Sequence, residues 1–244
     1  MLFTCIRCEF MKLKRSFVWL ACLALPIVPA IMGTGNYSMN LKILTGGWYS
    51  LWSQHTLFYS SFFFAPLIAV CCAYLWRVEN FGHNRNVLMT APVPLSCIFF
   101  GKLTVAAIIT LLMQLWVFAL FFICGIYVGL PGLPPPEIFI WCLRGTLGGI
   151  TCASGILLLS MCLRSFALPV GLSLLLSVIG VLFTNKGWGL FFPFSLIFCG
   201  MNSNTYDDLL AGSMLPFFVS CLLFFLLFSG TAIWLLRTRD VKAL

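Results

Sequence analysis

The chain has 244 residues, of which 61% are hydrophobic and only 8% charged, and its mean hydropathy is +1.07. A soluble domain runs near 45–50% apolar and about 25% charged, and disorder needs low hydrophobicity with high charge, so both classes are excluded. The net charge of +8 comes from basic residues at the ends of apolar runs. That pattern points to membrane orientation and not to nucleic acid.

The apolar runs are long and unbroken, whereas barrel strands alternate over about ten residues. The expected fold is therefore all-α: a polytopic membrane protein forming a single transmembrane domain over 1–244. A spanning helix needs about 20 mostly apolar residues. Six runs qualify in chain order: Phe17 to Met32, Leu57 to Trp76, Leu103 to Tyr127, Ile138 to Cys162, Phe166 to Phe183 and Met214 to Leu236. The first follows a basic stretch, as in a signal peptide. It shows no clear small-residue cleavage site and five spans follow, so it reads as a retained helix.

Residues 33–55 read as an outer segment, in which Trp48, Tyr49 and Trp52 suit the headgroup region. Residues 77–102 form the longest polar stretch. Gly129 to Pro136 is a stiff non-helical turn. Residues 184–213 read as an outer re-entrant or interfacial segment, apolar around Trp188, Phe191 and Phe192 but too short to cross. Six spans put both termini on one side. That side collects Arg7, Lys12, Lys14, Arg15, Arg77, Arg85, Lys102, Arg164, Arg237, Arg239 and Lys242, against Lys42 and Lys186 opposite. The positive-inside rule makes both termini cytoplasmic.

Catalytic signatures are missing. No G-x-x-x-x-G-K-[ST], H-E-x-x-H or G-x-S-x-G occurs. His55 and His83 fall on opposite faces, so they make no shared metal site. Cys5 and Cys8 have C-x-x-C spacing without further nearby ligands, and no metal is expected. The chain is not expected to be an enzyme or to hold a cofactor itself.

Four features remain as candidate sites. Arg144 is the one ionisable residue well inside a run. It reads either as a snorkelled anchor or, with Glu137 two turns earlier on the same face, as a gate or substrate contact. Asp207 and Asp208 either attract a cationic substrate or sit at the start of a short helix, where negative charge is favourable. Gly145, Gly149 and Ala153 form a small-xxx-small ridge, for packing within the chain or at a subunit seam. Finally, Arg77 to Pro94 places polar residues before an apolar patch and two prolines. It reads either as a short amphipathic helix that docks into a cytosolic partner or as a solvated loop.

Glu79, Arg85, Leu88, Pro92-Val93 and Lys102 together resemble the coupling segment of ABC-2 exporter permeases. Glu9 followed by Lys12-Leu13-Lys14-Arg15-Ser16, the pair Trp48-Tyr49, and Pro26 with Pro29 resemble the lantibiotic-immunity permeases within that class. One departure is that the basic group before the apolar patch stands at Arg85-Asn86, displaced by one residue. The resemblance implies an N-terminal interfacial helix at 1–16 and a cytoplasmic coupling helix within 77–102. It assigns ATPase coupling to Glu79, Gly82, Arg85, Asn86, Leu88 and Pro92. It also implies a second homologous permease subunit and two copies of a separate ABC ATPase that binds ATP and Mg. It further implies that the bilayer is the bacterial cytoplasmic membrane and that the cargo is a cationic lantibiotic-type peptide expelled from it. Another cargo (antibiotic, lipid or ion) and a non-transporting membrane scaffold are the alternatives.

Overall fold

The computed structural model describes residues 1–80, 92–163 and 165–238. These residues are helical with no strand among them. Six stretches are long and apolar enough to cross a membrane: Val18–Met39, Trp48–Arg77, Leu95–Tyr127, Pro136–Cys162, Ala167–Asn185 and Met214–Thr238.

Helix α1 (Leu2–Leu13) precedes the first span, which is broken into α2 (Val18–Ala24) and α3 (Ile27–Met39). The break falls at Pro26, whose ring and missing N–H disrupt a helix interior. The second span comprises α4 (Trp48–Phe58), a π turn (Tyr59–Phe63) and α5 (Phe64–Asn80). Next come α6 (Leu95–Tyr127), α7 (Pro136–Cys162) and α8 (Ala167–Asn185), then the short α9 (Ser195–Gly200) and α10 (Met214–Thr238). Pro136 stands in the first turn of α7, where its missing N–H costs nothing.

Two boundaries differ from the sequence expectation. The outer segment 33–55 is mostly helical, because α3 continues to Met39 and α4 begins at Trp48. Trp48 and Trp52 are thus buried core residues and not headgroup anchors. Trp48 lies against Phe121 and Phe122, and the Trp52 indole donates to the Met201 carbonyl at 2.7 Å. Polar side chains on α4 hid this helix from a hydropathy reading. Ser50, Ser53, Gln54, His55 and Thr56 are all buried: Ser53 and Thr56 donate to carbonyls of their own helix, and Gln54 and His55 bond α3. The second difference is that α6 starts at Leu95, so Lys102 lies inside a helix and not in a cytoplasmic loop. Thirty-three residues make α6 about 50 Å long, against a hydrocarbon core of about 30 Å. Its first turns therefore extend toward the headgroup region.

Helix α7 is the central element. It packs against α5, α6, α9 and α10 and is largely buried. The predicted ridge faces inward at every step. Gly145 lies against Met201 and Gln114, and Gly149 lies against Thr110 and Phe64. The Cys72 thiol points at the Ala153 carbonyl at 3.9 Å. Packing within the chain is what this ridge does in the structure.

Candidate coupling and gating sites

Four charged side chains from three helices converge at the end of the bundle that carries α1. Glu9 lies on α1, one turn before Lys12, and Glu79 is next to last in α5. Lys102 is in the third turn of α6. Lys102 is 0% exposed, so each of its three N–H groups must find an acceptor. They do: Glu9 Oε2 at 3.0 Å, the Leu75 carbonyl at 3.1 Å, and Glu79 Oε1. Its ammonium also sits 4.9 Å from the Trp76 ring centre, within cation–π range. Lys12 closes the group by donating to Glu9 Oε1 at 2.6 Å and Glu79 Oε1 at 2.7 Å.

Two carboxylates against two ammoniums leave the cluster neutral, which lets it stay in a low-dielectric place. Burial alone would lower the Lys12 pKa, but Glu79 and Glu9 outweigh it and raise the group above its ordinary value. Glu79 Oε1 accepts from both lysines, while its Oε2 is buried with no partner. The cluster thus fastens α1 to the end of α5, from which the segment 81–91 departs. Gly101 allows the same approach on α6, where an added Cβ would stand 3.0 Å from Cys5 Cβ.

Of the predicted coupling residues, Glu79 faces inward into this cluster and is only 4% exposed. It is a bracing group, not a surface contact. Gly82, Arg85, Asn86 and Leu88 lie outside the described residues, and Pro92 is exposed. The resemblance supplied Glu9, Lys12, Glu79 and Lys102 as separate matches. Their meeting was not foreseen, although two glutamates among only six acidic residues beside lysines in apolar contexts were the available signal.

A second ion pair lies toward the other end. Arg144 is 3% exposed and its two terminal nitrogens donate to the two Asp208 oxygens, each at 2.9 Å. This is the bidentate fork that arginine favours with carboxylates. Arg144 is therefore a buried partner in an ion pair and not a snorkelled anchor. Glu137 does not join it but accepts a 3.3 Å bond from the Tyr49 hydroxyl at an exposed position. Asp208 starts no helix. It lies in a turn whose shape is set by Asn202, which has φ +51° and accepts from the Leu209 N–H at 2.7 Å. Asparagine tolerates that left-handed conformation better than most residues. Gly200 permits a close approach, since an added Cβ would lie 2.8 Å from the Arg144 carbonyl oxygen. Burial would raise the Asp208 pKa, but the hydrogen bonds from Arg144 and the Leu210 N–H hold it below its ordinary value. Asp207 is exposed and takes no part in the pair.

A third polar group was missed by the sequence reading. His55 is buried between α3 and α6, with Nε2 2.9 Å from Thr34 Oγ1 and its ring edge-on to Phe121. Thr34 Oγ1 donates to the Ala30 carbonyl at 2.8 Å, so it accepts from His55 Nε2–H. That leaves Nδ1 as a bare acceptor, buried without a partner. Beside it the Asn36 amide donates to Gln54 at 2.6 Å. Neutral polar residues on α4 carry no charge signal in the sequence, so only the packing of α3, α4 and α6 brings them together.

Among the described residues no cluster of His, Cys, Asp and Glu is arranged to hold a metal. Residues 5–180, nearly three quarters of the chain, match the family model described as ABC-2 family transporter protein. No curated protein matches the chain.

Proposed function

The chain belongs to the ABC-2 transporter family, and from that premise we propose that it is the permease subunit of an ATP-driven exporter that removes lantibiotic-type peptides from the membrane of the cell carrying it. As a membrane permease of an ABC transporter it works with an ABC ATPase. In the proposed arrangement two ATPase copies lie below a pair of permease subunits, and both termini of this chain are cytoplasmic.

The observation that carries the reading is the buried Glu9–Lys12–Glu79–Lys102 cluster. It ties α1, α5 and α6 together at the end of α5, directly before residues 81–91 in the chain. When the ATPase pair closes, a push on that segment reaches three helices as one body. Isolated contacts would let the segment bend alone. The Arg144–Asp208 clasp acts at the proposed outer end, holding the turn at 201–213 against α7 until the bundle rearranges. The peptide cargo rests on the family resemblance of Glu9 to Ser16 and of Trp48-Tyr49, and the ATPase supplies all phosphate chemistry with its own ATP and Mg.

Deleting the chain and complementing it tests the cargo. Restored tolerance of a lantibiotic, lost again when the ATPase is inactivated, is the expected result. Unchanged tolerance, with sensitivity shifting instead to another antibiotic, would replace the cargo and leave the permease assignment standing. Unchanged tolerance to every compound, with no ATPase retained on solubilisation, would favour the scaffold alternative.

A further inference from the structure

A groove of about 340 Å³ runs along the outside of the bundle where α6, α7 and α10 meet. One wall is a helical stripe on α6 made of Phe100, Thr104, Ala107 and Leu111, and the others are supplied by Thr146 and Phe225. The two polar walls make no demand on an occupant. Thr104 Oγ1 donates to the Phe100 carbonyl at 2.7 Å, and Thr146 Oγ1 donates to the Cys142 carbonyl at 3.0 Å. Both hydroxyls are turned into their own helices, which leaves methyl groups at the surface.

From Phe100 to Leu111 the stripe covers roughly 17 Å, about half of a hydrocarbon core of about 30 Å. The groove therefore serves one leaflet. The groove is open along one side and lined almost wholly by apolar side chains, which suits a hydrocarbon chain from the surrounding bilayer. Its Phe100 end lies where α1 crosses α6, with Cys5 against Gly101. Arg7, Lys14 and Arg15 of that region are exposed, as is Arg237 at the end of α10. Positive charge at the headgroup level beside an apolar slot selects an anionic lipid, each basic residue near the surface contributing about 1 kcal/mol.

We propose that this groove holds one acyl chain of an anionic phospholipid from the leaflet on the α1 side, with its phosphate held by the exposed basic residues of α1 and α10. The lipid would fill the seam between the helix braced by Lys102 and the central helix α7.

The test uses the full chain in nanodiscs containing equal phosphatidylglycerol and phosphatidylcholine, followed by native mass spectrometry after release into detergent. One phosphatidylglycerol retained in preference to phosphatidylcholine is expected for the unaltered protein. Ala107→Trp, which fills the groove, should cut that retention at least fivefold, while Leu172→Trp on the exposed face of α8 should leave it unchanged. Arg7→Gln with Arg237→Gln should keep a lipid but erase the headgroup preference. A phosphatidylglycerol with a photoreactive acyl chain, used on the unaltered protein, should label peptides within 100–111 or 146–150. Labelling elsewhere, equal retention by Ala107→Trp, or no retained lipid would overturn the proposal. So would a crosslink of the groove to a second copy of the chain.

Discussion

The two ends of the bundle hold their charges differently. At the α1 end, four charges form a closed neutral group on three helices, and the most buried member is 0% exposed. Toward the other end, one arginine grips one aspartate whose side chain is 30% exposed, and that aspartate belongs to a turn. The first arrangement cannot open without stranding a charge in an apolar place. The second releases an aspartate that water can reach. A brace and a clasp therefore carry different costs, and in the proposed orientation the costlier one to open lies nearest the ATPase.

The largest expected effect breaks the brace. Lys102→Met leaves Glu9 and Glu79 facing each other with only Lys12 between them. Removing one partner of a buried pair costs about 3–5 kcal/mol, so the melting temperature in detergent should fall sharply. Changing Lys102 and Glu79 together to Met and Leu leaves the neutral Glu9–Lys12 pair and should recover most of that loss. A double loss equal to the sum of the singles would show that the two do not act as one group.

Next in size is Gly33→Ala, which sharpens the comparison by asking whether neutral packing also braces the molecule. The added methyl would sit 2.7 Å from the His55 Cα on the facing helix. Overpacking of that kind costs about 1–3 kcal/mol, read as a lower melting temperature and weaker burial of His55.

Breaking the clasp should cost less than breaking the brace. Arg144→Met removes two charge-assisted bonds, but the Asp208 left behind is part exposed and water can solvate it. Protection of backbone amides in 201–213 from exchange should drop, with little change near Glu79. Arg144→Lys keeps the charge but not the fork, and should fall between.

The pH response follows from the shifts. The Asp208 carboxyl is held below its ordinary 3.8. Its contribution is fully present above that value and is lost as pH falls through the lower folded value. Lys12 is raised above 10.5. Its contribution is present below 10.5 and is lost as pH rises through the raised value. Asp208 and Lys12 both move away from neutrality, and an Asp208→Asn protein should lose part of the acid limb of the stability curve. The smallest effect is expected from Glu137→Gln, which alters one exposed 3.3 Å bond to Tyr49 and should change stability by less than about 0.5 kcal/mol.

Much of the fold was legible because bilayer solvent imposes a simple code. Twenty apolar residues in a row have few other outcomes, so six spans were readable, the last three of them close to their observed limits. The second span was read nine residues short, because α4 satisfies its polar side chains inside the bundle, and hydropathy counts each of them as evidence of water. The small residues on α7 stand out by spacing alone, since small side chains permit close helix contact, but spacing left open whether the contact lies within the chain or at a subunit seam.

The sites were legible as residues and not as partnerships. Arg144 and Asp208 were both candidates, but they are separated by 64 positions, and only the turn shaped by Asn202 brings them together. Glu79 was placed by resemblance on a docking surface, whereas a lysine 23 positions later turns it inward. A sequence names the charges that need partners, and the packing decides which ones they get.

The central claim is that the buried four-charge brace carries motion from the ATPase into the spans. The most direct test reconstitutes the full complex with spectroscopic labels at Tyr127 and Trp188, both exposed at helix ends, and measures their separation with and without ATP. The labelled complex should change its distance distribution on ATP binding. The charge-balanced Lys102→Met, Glu79→Leu protein should still assemble with the ATPase but show no such change. A nucleotide-driven shift of undiminished size in that protein would contradict the account.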